Sequence, residues 1–217
     1  MPNWVDTIMT IHGNSDDLRS FKEKAAMPYT TYFKGKFIEP GVWDKDAIEE
    51  KVHDEPLSFM NFVSPADTET YYQNQRELNH AVAAERWRQY VHNDDPCQHP
   101  TTCINTAGHT NEDDKNWYYW NVNNWGTKWD ACNVEVTSDD LESGSLEYRF
   151  STAWSPAENA FRAMVQQHPE LSFSFYNLEE QGWGVEYEGY DGELHETNNW
   201  DIPRFIYTAK FRQKGGQ

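Results

Sequence analysis

Cys97, His99, Cys103 and His109 crowd a stretch that also holds Pro100 and Gly108, with His92 and Cys132 as further donors. Thiolates and imidazoles are ligands that a zinc ion takes, and a bound metal would stiffen irregular backbone. Five residues separate the two cysteines, a wider gap than the tight knuckle of a structural zinc site. The spacing therefore favours a polar loop without a cofactor. Zinc is the alternative, heading a zinc-stabilised nucleic-acid module, and a redox pair stands behind it.

A second set lies in the run Asn124-Trp125-Gly126-Thr127-Lys128-Trp129-Asp130-Ala131. Lys128 falls between Trp125 and Trp129, and Asp130 follows. Rings and a carboxylate could fix the cation for an anionic or nucleotide-like substrate, which would make this corner an enzyme site. The plainer reading is a structural corner in which both tryptophans bury, Gly126 makes the turn and Lys128 pairs with Asp130.

A third set is acidic. Glu135, Glu147, Glu186 and Glu188 sit at alternating positions of three apparent strands, with Asn133, Ser172 and Ser174 in the same phase. The loop Asp191–Glu196 adds three more acids. Such a face would suit a basic protein surface, even as a nucleic-acid mimic, or it is simply the wet side of an antiparallel sheet. The acid pairs Asp139/Asp140 and Glu179/Glu180 have no histidine or nucleophile close in sequence. There is no Gly-rich phosphate loop, nucleophile elbow or metalloprotease helix, so the sequence leans away from an enzyme.

The elements that must carry these residues read as follows. Trp4 to Ile11 alternates as a strand, and Asn14 or Ser15 caps a helix bearing Leu18, Phe21 and Ala25. Residues 28–55 read as loop with a short helical piece near Lys45–Val52. Leu57–Val63 reads as a strand, Leu78–Val91 as a helix, and Lys115–Trp125 as a short helix ended by Gly126. Two alternating runs around the turn Asp139–Ser145 form a hairpin. Ser155-Pro156-Ala157-Glu158 reads as a capping box opening a helix with Ala160, Phe161, Met164 and Val165 on its apolar face. Strands around Leu171–Phe175 and Trp183–Tyr187 follow. Without its middle, the order is a split βαββαβ unit, an antiparallel ferredoxin-like α+β fold. The expectation is one domain over residues 1–217 with a helical insertion at about 65–130.

Thirty-six acidic residues against 18 basic ones give a formal charge of -18. That field repels nucleic acid and anionic membranes and favours basic partners. After Asp201 the sign reverses: Arg204, Lys210, Arg212 and Lys214 occur there with no acid. Hydrophobic residues are 37% of the chain, yet 10 Trp, 12 Tyr and 11 Phe supply enough buried area for an aromatic core. No apolar run is long enough to span a membrane, and the start lacks a signal-peptide pattern. Three cysteines suit a reducing cytoplasm better than a disulfide framework.

Met1-Pro2-Asn3-Trp4, the run Asn124–Ala131 and Phe150-Ser151-Thr152-Ala153-Trp154-Ser155-Pro156 resemble the YubB-like family of phage and plasmid proteins. Members tend to carry Cys and then Asn just after the opening Trp, where Val5 and Thr7 stand here. The resemblance implies a ferredoxin-like domain and a mobile-element origin, and it lends no catalytic residues. The expected role is a non-catalytic cytoplasmic interaction protein that binds a basic host or phage protein.

Overall fold

The computed structural model describes residues 3–65 and 117–201. The helix expected at Leu78–Val91, the donors His92, Cys97, His99, Cys103 and His109, and the basic residues after Asp201 all lie outside the described residues, as does most of the insertion expected at 65–130. The chain forms two compact units.

The larger unit holds a six-stranded antiparallel sheet. Its strands are β1 (Trp4–His12), β4 (Cys132–Asp140), β5 (Ser145–Ala153), β6 (Ser172–Glu179), β7 (Trp183–Tyr190) and β8 (Glu193–Asp201), in the order β4-β5-β1-β6-β7-β8. Helix α1 (Ser15–Ala25) follows β1, α2 (Trp117–Trp125) precedes β4, and α3 (Glu158–Gln167) joins β5 to β6. The stretch β4-β5-β1-β6 has the strand order of the split βαββαβ unit, and β7 and β8 widen it on the β6 side.

Alternation along the strands sorts the residues. Met9 lies level with Tyr148 and Phe175, and Phe175 with Tyr187, so these four share one face. Phe161 of α3 stacks on Phe175 at 4.2 Å, and Phe21 of α1 meets Tyr148 and Phe173 edge-on. Phe59, Phe150 and Phe161 complete an aromatic core, as the composition implies. Each such pair adds about 1 kcal/mol beyond area burial.

Local chemistry explains the starts and stops. Asn14 caps α1, its side-chain oxygen accepting from the N–H groups of Asp16 and Asp17, whose acids suit the helix dipole. Gly126, at φ 86°, ends α2, with its N–H donating to the carbonyl of Val122. The capping box is not formed. The Ser155 hydroxyl donates instead to the Gly126 carbonyl at 2.6 Å, and α3 starts three residues later behind Ala157, which makes no side-chain cap.

Three further expectations are corrected. Leu57–Val63 is not a strand: it holds a 3-10 turn, Phe59–Asn61, fixed by Asp130, whose carboxylate accepts from the Ser58 hydroxyl and the Phe59 N–H. The segment Asp191–Glu196 is mostly strand, since β8 starts at Glu193 after the tight Asp191-Gly192 turn. Residues 28–55 are mostly strand, with no helical piece near Lys45–Val52.

Tyr29–His53, which belongs to the second unit, forms a hairpin of β2 (Tyr29–Glu39) and β3 (Val42–His53). Pro40 and Gly41 make its turn, Gly41 at φ 82°, a conformation that favours glycine. Tyr29 stacks on His53 at 4.6 Å, and His53 Nε2 lies 2.9 Å from the Thr31 hydroxyl. Phe37, Ile38, Val42 and Val52 are exposed.

Candidate functional site

The sheet surface turned away from α1 and α3 is built by strand register. One row runs Glu135, Arg149, Ile8, Tyr176, Glu186 and Asn198; the next carries Glu147, Thr10, Ser174 and Glu188. The four glutamates singled out by alternation thus share one face. Cross-strand hydroxyls aim their neighbours: Thr137 donates to Glu147 at 2.7 Å, and Ser151 donates to Asp6 at 2.7 Å. Glu135 and Glu188 are exposed, while Glu147 and Glu186 are half-buried. Arg149, opposite Glu135, brings the one arginine of the strands onto this face.

This face is not uniformly wet. Ile8, Tyr176 and Leu178 form a cluster at its centre, with Leu178 fully buried and Trp200 packed on it. Trp200 stands opposite Gly184 and reaches Tyr176, the ring centroids 5.4 Å apart. Burial, and then the Glu186 carboxylate, raise the Tyr176 hydroxyl pKa. Sequence alternation missed this apolar centre because Ile8 on β1 is far in sequence from Tyr176 and Leu178 on β6, and only the pairing of the two strands brings it to them. Asn133 departs from the expected phase as well. It takes φ 54° within a bulge, which puts Cys132, level with Ser151, on the outer face.

The tryptophan corner gathers different partners from those expected. Lys128 Nζ stands 4.8 Å from the Trp129 ring and 4.5 Å from the Trp154 ring, and Trp129 lies 5.7 Å from Trp4. Two ring faces around an ammonium stabilise it by cation–π attraction. Trp154 and Trp4 are the participants that sequence reasoning passed over, although both sit in the runs that carried the family resemblance. Trp154 is 45% exposed and holds φ 73°, rare for a bulky residue, while its N–H donates to the Asn3 carbonyl at 2.8 Å. Asp130 faces the other way, toward Ser58, Phe59 and Ala131. Trp125 is buried, its indole N–H donating to the Val63 carbonyl at 2.9 Å. Trp125 and Asp130 therefore serve the fold here, and Trp129 is half-buried where full burial was expected.

Nucleophilic chemistry finds little support at Cys132. Burial, Asp130 and Glu55 raise its thiol pKa, which keeps it protonated. Among the described residues no group of three or more His, Cys, Asp or Glu side chains is placed to hold a metal ion. Among the same residues no helix is long and apolar enough to cross a membrane.

No curated protein matches this chain. Among solved structures it is similar to the crystal structure of a protein api92 from Yersinia pseudotuberculosis, with 11% identity and a TM-score of 0.46 over 93% of this chain and 100% of that one. Residues 124–212 match the family model described as the ferredoxin-like domain in Api92-like protein, and the fold is accordingly ferredoxin-like.

Proposed function

We propose that this chain is a non-catalytic binding protein of the bacterial cytoplasm, of phage or plasmid type, that offers the outer face of its sheet to a basic protein surface. The supporting observation is the register that puts Glu135, Glu147, Glu186 and Glu188 on one face. The surrounding segment reinforces it: residues 132–201 contain fifteen acids and two arginines. Successive outward residues on a strand stand about 7 Å apart and neighbouring strands about 4.8 Å. Carboxylates fixed at such spacings repel one another, and a surface of arginines and lysines relieves that repulsion, so docking stabilises both sides. Long-range attraction of this kind speeds encounter and weakens as salt rises. A nucleic-acid mimic is one form of such a protein.

The test captures partners from a bacterial host lysate with the native chain and two variants. One carries Glu135→Gln, Glu147→Gln, Glu186→Gln and Glu188→Gln. The other neutralises four acids elsewhere, Glu23→Gln, Glu49→Gln, Glu50→Gln and Glu180→Gln. The expected partner is a basic protein, released by salt, lost by the first variant and kept by the second. Retention by the first variant, or binding indifferent to salt, overturns the reading.

The ring-held Lys128 favours a second reading, a small-molecule or nucleotide-processing site at the tryptophan corner. Quenching of tryptophan fluorescence by a nucleotide, absent in Lys128→Ala, would support it. Equal response in both proteins would remove it.

A further inference from the structure

The backbone of Trp154 suits glycine, yet the position holds the largest side chain. Its φ of 73° is one that glycine adopts freely and a bulky residue adopts only where its surroundings hold it. Here they hold it from both flanks. The Trp154 N–H donates to the Asn3 carbonyl at 2.8 Å, and the Thr127 hydroxyl donates to the Ala153 carbonyl at 2.9 Å. The Thr152 hydroxyl donates to the Ser155 carbonyl at 2.7 Å, and the Ser155 hydroxyl to the Gly126 carbonyl at 2.6 Å. A turn of the chain alone is made more easily by glycine. What the strain secures is the position of the indole, which is 45% exposed even with the Lys128 ammonium 4.5 Å from its ring centroid. The same ammonium lies over Trp129, whose ring is backed by Trp4 at 5.7 Å.

We propose that this corner binds a small planar heteroaromatic ligand carrying one anionic group, of the nucleoside monophosphate class, with the base stacked on Trp154 and the phosphate meeting Lys128. This ligand class deepens the small-molecule reading above and rests on it, and it is independent of the acidic face. Stacking on an indole is open to any planar ring and needs exposed ring surface. An ammonium beside that surface adds attraction for an anion, and its flexible stem lets it follow the phosphate. An aliphatic ligand would leave the indole unused, and a bare inorganic anion would leave its strained position without purpose. Ring and cation together select a ligand that has both parts.

The protein's charge limits the ligand's. At -18 the body repels every added phosphate, so a polynucleotide is disfavoured where a single phosphate is tolerated. The acid two residues past Lys128 does not crowd the ligand's place, because Asp130 accepts from Ser58, Phe59 and Ala131.

Isothermal titration calorimetry of the full chain with adenosine, guanosine, cytidine and uridine 5′-monophosphates tests the site. At least one is expected to bind once per chain. Trp154→Gly removes the stack and relieves the left-handed strain, and it should weaken that binding about tenfold. Lys128→Gln should weaken it several-fold, toward the affinity of the parent nucleoside, which itself should bind the native chain and Lys128→Gln alike. No binding of any monophosphate at millimolar concentration overturns the site, as does binding that both variants keep, or a short single-stranded oligonucleotide bound more tightly than the monophosphate at low salt. Should Trp154→Gly fail to fold, Lys128→Gln decides alone: a several-fold loss supports the site, and unchanged affinity overturns it. A monophosphate bound but recovered unchanged leaves the site standing and removes the processing reading. Chemical change of a nucleotide that Trp154→Gly retains does the reverse.

Discussion

The indole of Trp200 lies close against Gly184: a Cβ built on that glycine would stand 2.5 Å from Trp200 Cζ2 and 2.6 Å from the Asn177 carbonyl oxygen. The ring occupies the place that a side chain at position 184 would need. Gly184→Ala is expected to destabilise the protein by about 1–3 kcal/mol through overpacking. Urea unfolding would show it, together with a changed near-ultraviolet circular dichroism signal from the Trp200–Tyr176 pair. An unchanged midpoint would mean that the ring has room to move aside.

Asp130 joins the 3-10 turn to the start of β4. Its Oδ1 accepts from the Phe59 and Ala131 N–H groups, both at 2.7 Å, and its Oδ2 accepts from the Ser58 hydroxyl. Asp130→Ala leaves those donors without the carboxylate, and a loss of about 2–3 kcal/mol is expected on urea unfolding. Asp130→Asn keeps one acceptor and should lose about half as much. Equal losses would assign the effect to packing rather than to hydrogen bonding.

His168 makes the fold sensitive to acid. It is 6% exposed, its ring meets Phe21 and Phe62 edge-on, and its Nε2 is buried without a partner. Burial lowers its pKa, aided by Lys24, while Glu170 at 3.2 Å and Asp17 act in the opposite direction. The unfolded chain therefore binds the proton more readily than the folded one. Stability is full above the unfolded value near 6.5 and declines as pH falls below it, toward the lower folded value, by at most about 1.4 kcal/mol per pH unit. Unfolding free energies measured from pH 8 to about pH 5 should show that decline in the native chain and a shallower one in His168→Leu.

Asn177 is fully buried between two strands, accepting from the Thr7 hydroxyl at 2.9 Å and donating to the Val185 carbonyl at 3.1 Å. Asn177→Ala strands both partners and should cost about 1–3 kcal/mol. Adding Thr7→Val removes the orphaned hydroxyl and should recover part of that loss in thermal unfolding. No recovery would show that the Val185 carbonyl dominates.

The elements that read correctly from sequence are those with one dry face. β1, β5 and β6 bury alternate residues against the helices, so Val5, Met9, Tyr148, Phe150, Phe173 and Phe175 announced their strands. β3 and β8 gave no such signal. Glu49, Glu50 and Lys51 in β3, and Glu196, Thr197 and Asn198 in β8, are exposed on both sides, so nothing selects apolar residues at every second position. The run Leu57–Val63 was ambiguous for another reason. Its shape depends on Asp130, some seventy residues away, and a hydrogen bond of that range leaves no local pattern.

The candidate surfaces were legible to the same extent. Glu147, Glu186 and Glu188 share a face because period-two alternation carries through regular pairing, and Glu135 joins them just past the bulge at Asn133. Lys128 was recognisable as a cation among rings, but its second ring comes from Trp154, which alternation cannot reach because the residue has turned into a left-handed conformation past the end of β5. The capping box failed because the Ser155 hydroxyl is turned to the Gly126 carbonyl, to which it donates, and α3 opens later behind Ala157.

Gly126 carries one more implication. Its α-carbon abuts the opening of α3, where an added methyl group would come 3.1 Å from the Glu158 nitrogen and 3.3 Å from the Asn159 nitrogen. Helix openings commonly cradle phosphate or sulfate, since several amides converge there. In this molecule main chain already plugs that cradle, so an incoming anion must look to side-chain cations instead.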